Sequence, residues 1–199
     1  MQEELVTHTI ELPSGELRLL QPADAAEIPD DHQVEWAPLA PYWSVLWRSG
    51  IALARQLDGE SLRGLRVVEL GCGLAAPSIA AARGGADVIA TDGDSDALQL
   101  VVRNAAANDV QVEIDMVDWG DPDELVERGP FDLVLGSDIL YERPSVAMLL
   151  ELLPRLAPQA RIADPGRPAG EAFLEEAKRR WSVETTVRGV VHLHRIGMV

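Results

Sequence analysis

Val67-Val68-Glu69-Leu70-Gly71-Cys72-Gly73-Leu74-Ala75, followed by Val88-Ile89-Ala90-Thr91-Asp92, decides the architecture of this chain. The first run reads as a buried strand that ends in a glycine turn and enters a helix. The second reads as another buried strand ending in a carboxylate, about 20 residues after the first glycine. Glycines in such a turn let the backbone approach a ligand where a Cβ would collide. An acid at the end of the next strand is placed to accept from two ribose hydroxyls. The pair therefore predicts a nucleoside site on an open α/β sheet.

Charge separates the candidate ligands. A dinucleotide brings a pyrophosphate, whereas S-adenosylmethionine brings a sulfonium and an ammonium with one carboxylate. Glu69, two residues before Gly71, repels the former and suits the latter, since like charges in a poorly solvated pocket cost several kcal/mol. Gly71-x-Gly73-x-x-Ala76 also satisfies the dinucleotide pattern, so the glycines alone do not discriminate. The acid does, and it favours S-adenosylmethionine as cofactor, with S-adenosylhomocysteine as its product.

Outward from this stretch, strands and helices alternate. Strands are expected at Val67–Leu70, Val88–Thr91, Val112–Val117, Phe131–Gly136 and Arg161–Ala163. Helices are expected at 77–83, 95–107, 144–156 and 168–180, with Pro77 in a first turn and Gly84-Gly85 at an exit. Repeated βα units predict a parallel sheet with helices on both faces. Val183–Arg188 and Val190–Ile196 are separated by Gly189 alone, too short for a crossover, so this last pair is antiparallel. Upstream, Leu5–Leu12 and Glu16–Leu20 flank Pro13-Ser14-Gly15 as a hairpin. A polar connection runs from Gln21 to Pro41. The apolar spacing from Trp43 through Trp47, Ile51, Ala54 and Leu57 predicts a helix that stops at Asp58-Gly59.

The chain has 199 residues, 47% of them hydrophobic, which suits one α/β domain. It divides into the hairpin and connection, 1–40, and a cofactor-binding core, 41–199. Seventeen basic residues against thirty-three acidic ones give a net charge of −16, which argues against nucleic acid as a partner. One cysteine excludes an intrachain disulfide. The start Met1-Gln2-Glu3-Glu4 lacks an export signal, and no apolar run reaches membrane-spanning length. The expected protein is cytoplasmic, with no membrane partner.

Acids recur at the expected strand ends: Glu69, Asp92, Asp118 and Asp138. Four consecutive strands delivering a carboxylate to one rim suggest a pocket for a cation. Asp92 would accept from the ribose, Asp118 from the adenine amino group with Trp119 beside the ring, and Glu69 would face the methionine end. The backbone of Gly71, Cys72 and Gly73 would underlie the ligand, and Ser137 would border it. In Gly136-Ser137-Asp138-Ile139-Leu140-Tyr141, an acid and an aromatic three residues apart can face one opening, the acid gripping an amine and the ring walling it. Asp138 is cast as an orienter of the acceptor amine, because only a neutral amine can displace a methyl group. The turn acids could instead cap turns, and Tyr141 could simply pack. Cys72 lacks a neighbouring base and is read as a small turn residue. His192 and His194 are read as a solvent-facing edge pair, and no metal is required. Trp36, Trp43 and Trp181 are assigned to packing, and Arg167 to either a surface helix start or a substrate contact.

With Pro41-Tyr42-Trp43 through Trp47, Glu69-Leu70-Gly71-Cys72-Gly73, Asp118-Trp119 and Asp138-Ile139-Leu140-Tyr141 in view, the chain resembles the class I (seven-β-strand) S-adenosylmethionine-dependent lysine methyltransferases. Ala163-Asp164-Pro165-Gly166-Arg167 is similar to the branch that modifies the electron transfer flavoprotein β subunit. The resemblance implies a Rossmann-like seven-stranded sheet and a protein substrate presenting lysine. It also implies that Asp138 and Tyr141 border the lysine channel and that a helix bearing Trp47 covers part of the cofactor. Ala75 departs from the third glycine common in such enzymes. A small-molecule N-methyltransferase, a nicotinamide-dependent oxidoreductase and a non-catalytic binding module are the alternatives.

Overall fold

The computed structural model describes residues 4–25 and 41–198. Trp36 and most of the connection from Gln21 to Pro41 lie outside the described residues. The hairpin forms as expected, β1 (Leu5–Leu12) running antiparallel to β2 (Gly15–Pro22), with Gly15 at φ +137° in the turn. Next come a 3-10 turn (Tyr42–Ser44) and α1 (Arg48–Leu57). The βα units follow: β3 (Arg66–Leu70), α2 (Ala76–Arg83), β4 (Asp87–Asp92), α3 (Ser95–Ala107), β5 (Glu113–Met116), α4 (Asp123–Glu127), β6 (Leu133–Ser137), α5 (Arg143–Leu156), β7 (Gln159–Asp164) and α6 (Pro168–Arg180). The chain closes with β8 (Ser182–Arg188) and β9 (Val191–Gly197).

The main sheet has seven strands in the order β5-β4-β3-β6-β7-β9-β8. Strands β3 to β7 are mutually parallel, and β9 runs antiparallel to both β7 and β8. Alternate residues of each strand feed opposite faces. Val67, Leu133 and Leu135 pack with α1, α2 and the hairpin, while Val68, Leu70, Val134 and Ile162 pack with α5 and Phe173 of α6. This two-residue period makes the sheet the floor of two cores.

One boundary differs from expectation by more than two residues. The apolar spacing suggests a helix from Trp43, but α1 begins at Arg48, and both Val45 (ψ 136°) and Trp47 (ψ 134°) are extended. Local bonds account for the break. Ser44 Oγ donates to the Pro41 carbonyl (2.8 Å), and Trp47 Nε1 donates to the Tyr42 carbonyl (3.1 Å), folding the indole back over the 3-10 turn. The short helix α4 is the other element that apolar spacing does not announce, since Asp123–Glu127 buries one residue, Leu125.

The hairpin is docked by two asparagines one turn apart, Asn104 in α3 and Asn108 at its C-cap. Asn104 Oδ1 accepts from Leu20 N (2.7 Å), and its Nδ2 donates to the carbonyls of Leu20 (3.3 Å) and Leu74 (3.1 Å). Asn108 repeats the pattern on Arg18, accepting at 2.9 Å and donating at 2.6 Å. The two amides thus act as a substitute strand along the edge of β2, and Asn104 also ties that edge to the loop after the glycine turn. Asn104→Ala leaves these backbone groups without partners and is expected to cost about 1–3 kcal/mol. Thermal unfolding will show it as a drop in Tm of several degrees, with Asn108→Ala similar.

Candidate active site

The order of the sheet reverses between β3 and β6, and a cleft of about 780 Å³ opens over the carboxyl ends of the strands there. That is where an open α/β sheet offers a ligand site. Its floor is the turn after β3. Gly71 (φ +61°), Gly73 (φ +50°) and Ala75 (φ +61°) all lie in the left-handed region. A Cβ on Gly73 would stand 2.9 Å from the Trp43 carbonyl oxygen, and one on Gly71 would press on Ile139 and Trp119. The glycines therefore make room for protein on the cleft wall as well as exposing backbone to the cleft.

Asp92, at the end of β4, is lodged against this turn. Its Oδ2 accepts from Gly73 N (2.9 Å) and its Oδ1 from Asp94 N (3.1 Å), and burial pushes its carboxyl pKa up. The capping of α3 falls to Asp94, which accepts from Asp96 N (2.8 Å), so Asp92 faces the cleft. Asp118 and Trp119 follow β5. Asp118 is exposed at the rim and closes a local turn by accepting from Gly120 N (2.8 Å), while Trp119 both lines the cleft and packs on the core.

The far wall comes from β6 and β7. After Ser137, the chain turns at Asp138 with φ +56°, and Asp138 N donates to the Ala163 carbonyl (2.9 Å). Ser137, Asp138, Ile139 and Tyr141 line the cleft together with Trp47, Tyr42 and Trp43. Asp138 and Tyr141 thus face one opening, and burial raises the pKa of both. Asp138 is already paired. Arg167 Nη2 lies 2.7 Å from its Oδ1, the two side chains being 15% and 6% exposed, and the guanidinium carbon sits 5.5 Å from the Trp47 ring. The sequence allows Arg167 either a surface helix start or a substrate contact. It belongs to the cleft.

Glu69 is placed differently from expectation. In the two-residue alternation of β3 it shares the Val67 side, so it points toward α2 and does not line the cleft. Its Oε2 accepts from Ser78 N (2.9 Å) and Ser78 Oγ (2.5 Å), taking up a first-turn N–H that has no partner within the helix. Its Oε1 is buried without a hydrogen-bond partner among the described residues. Burial pushes its pKa up to about 8. Cys72 packs with Ala90 of β4 and with Leu98 and Val101 of α3, and burial, then Glu69 and Asp92, push its thiol pKa up.

A second departure lies behind Arg167. His194 is fully buried, and its Nε2 meets Asp164 Oδ2 at 2.9 Å while Thr185 Oγ1 meets its Nδ1 at 2.9 Å. Burial alone would raise the Asp164 pKa. His194 and the backbone N–H groups of Gly166 and Arg167 outweigh burial and hold it low. His194 is thus a structural post for the loop carrying Arg167, not half of an exposed pair. No cluster of three or more metal-ligating side chains occurs among the described residues. No helix there is long and apolar enough to cross a membrane.

A seven-stranded sheet of this order, with a glycine turn and acid at its reversal point, defines a class I methyltransferase fold. The T. thermophilus 16S rRNA N2 G1207 methyltransferase, solved with AdoMet and guanosine, superposes with a TM-score of 0.69 at 15% identity, covering 98% of this chain and 51% of that one. Residues 42–162 match the lysine methyltransferase family, and the chain belongs to that family. The protein N-lysine methyltransferase METTL21A of Danio rerio is 33% identical over 71% of this chain and 69% of its own length. The electron transfer flavoprotein beta subunit lysine methyltransferase of Xenopus laevis is 34% identical over 66% of this chain and 55% of its own. The chain therefore spans between about half and about two thirds of these relatives.

Glu69 supplies a test by pH. Above its ordinary value of 4.5 the unfolded chain releases this proton, while the folded chain keeps it until about 8, so stability falls as pH rises across that interval. Melting temperatures measured across it should decline in the parent protein. Glu69→Gln should flatten the decline, and an unchanged slope would remove Glu69 as its cause.

Proposed function

We propose that this chain is one catalytic domain that transfers a methyl group from S-adenosylmethionine to a lysine side chain of a protein substrate, in the cytoplasm. The observation carrying this reading is one cleft with Asp92 on the glycine turn at one end and the Asp138–Tyr141 turn at the other. Family membership and the named relatives support the same reading. When bound, the cofactor supplies an electrophilic methyl group on a cationic sulfur.

The residues present fit such a ligand. Asp92 is fixed to accept from ribose hydroxyls, and Trp119 offers a face beside the rim acid Asp118. Glu69 does not line the cleft, but its Oε1, without a hydrogen-bond partner among the described residues, suits a water that bridges to an ammonium there. Binding a cation nearby would also draw Glu69 back toward its charged form. Gly71, Cys72 and Gly73 contribute backbone, and Trp47 and Ser137 border the space between the two ends.

At the other end, Asp138 orients the acceptor amine and Tyr141 walls it. A bare carboxylate there would favour the unreactive ammonium. Arg167 offsets this, because the Asp138–Arg167 pair carries no net charge and leaves the amine readier to lose its proton to water. Rate then comes from holding nitrogen, methyl and sulfur in line.

Methyl-tritiated cofactor incubated with a cell lysate should label a discrete protein band. Asp138→Asn, which keeps a residue tolerant of the left-handed backbone at position 138, should abolish that label while still binding S-adenosylhomocysteine. Label confined to small molecules would reject the protein substrate. Arg167→Met should move the acidic limb of the pH–rate profile to higher pH, because the carboxylate it uncovers stabilises the protonated amine. An unmoved limb with a folded variant would reject this role for Arg167.

A further inference from the structure

A second cleft, of about 970 Å³, lies on the outer side of α1, away from the site just described. Helix α1 packs across β6, β7 and β9. Beyond it, the face of edge strand β8 carrying Glu184, Thr186 and Arg188 is exposed. The groove between them has Val191 and Leu193 in its floor.

Its charge is opposite to that of the chain. In a protein of net charge −16, this groove gathers Arg48, Arg55, Arg188 and Arg195 around a single acid, Glu184. Arg48 and Arg55 are two turns apart, hence on one face of α1. Arg48 makes an interaction of its own, and the charge of the other three is only partly matched within the chain. Arg55 Nε donates to a backbone carbonyl, that of Glu11 (3.2 Å), and Arg195 reaches Glu60 at 3.4 Å, an acid already held by Arg161 at 2.8 Å. Arg188 has no ion pair among the described residues. The groove also adjoins the reaction cleft along the chain, since Trp47 lines one and Arg48 the other.

We propose that this groove docks an acidic peptide segment of the protein that presents the lysine, a step that rests on the methyltransferase reading above. A guanidinium fork binds a carboxylate in two parallel hydrogen bonds, and the apolar floor receives the stems between them. A short acidic segment feels mainly the local arginines, because screening at physiological salt acts over about 8 Å. A long polyanion such as RNA would run out of the groove onto the acidic remainder of the surface.

The test uses a fluorescein-labelled glutamate-rich peptide, its glutamine counterpart and single-stranded polyuridine, with binding read by fluorescence anisotropy. The parent protein should bind the glutamate peptide in a salt-sensitive manner and the glutamine peptide weakly. The double variant Arg55→Glu, Arg188→Glu should raise the Kd by roughly tenfold or more while melting normally and keeping its affinity for S-adenosylhomocysteine. Equal binding by parent and variant, no binding by the parent, or a preference for polyuridine that the variant loses would each overturn the proposal. The lysate assay separates the two readings. Label transfer that is normal in the double variant overturns docking and leaves catalysis standing. Label transfer absent from the parent, with peptide binding intact and lost in the variant, overturns catalysis on protein and leaves the groove as a peptide site.

Discussion

The turn between β3 and α2 has to pass three times through the left-handed region within five residues, at Gly71, Gly73 and Ala75, and much of the site is arranged to hold it there. Asp92 accepts from the turn at Gly73 N, Asn104 reaches its far side at Leu74, and the carbonyl of Trp43 closes over Gly73 where no Cβ intervenes. Each support comes from a different part of the chain. Together they fix a backbone loop at the point where the sheet reverses, which makes a cleft possible at all.

Glu69, Asp92, Asp138 and Asp164 are all withdrawn from water near this cleft, and each is managed differently. Glu69 is held toward its neutral form beside Ser78. Asp92 is satisfied by two backbone N–H groups. Asp138 is matched by a guanidinium, and Asp164 by an imidazole and loop amides. A carboxylate matched in this way can direct a substrate amine without trapping it as a cation.

Much of this was legible along the chain. The alternation of β-branched runs and amphipathic segments announced five parallel strands, the lone Gly189 announced an antiparallel end, and Pro13-Ser14-Gly15 announced the hairpin. Asp92, Asp138 and Tyr141 are legible as cleft residues because Asp92 closes a strand and the other two lie in the turn after one, at the carboxyl rim of the sheet. Apolar spacing puts Trp47 inside a helix because it does not record the hydrogen bonds by which Ser44 and the Trp47 indole close a tighter turn. Glu69 stands near a strand end like the rim acids, but the alternation of its own strand points it toward α2. His194 looked like an edge residue because its spacing from His192 says nothing of Asp164, thirty positions away.

Order along the chain thus carried the sheet, the glycine turn and the acids at its rim, since each depends on a few adjacent residues and their period. Pairing did not follow from it. Asp138 meets Arg167, Asp164 meets His194, and four arginines collect in one groove of an acidic protein, because separate strands and helices bring them together. Composition averages such charges over the whole surface, and only packing decides which of them share a few ångströms of poorly screened space.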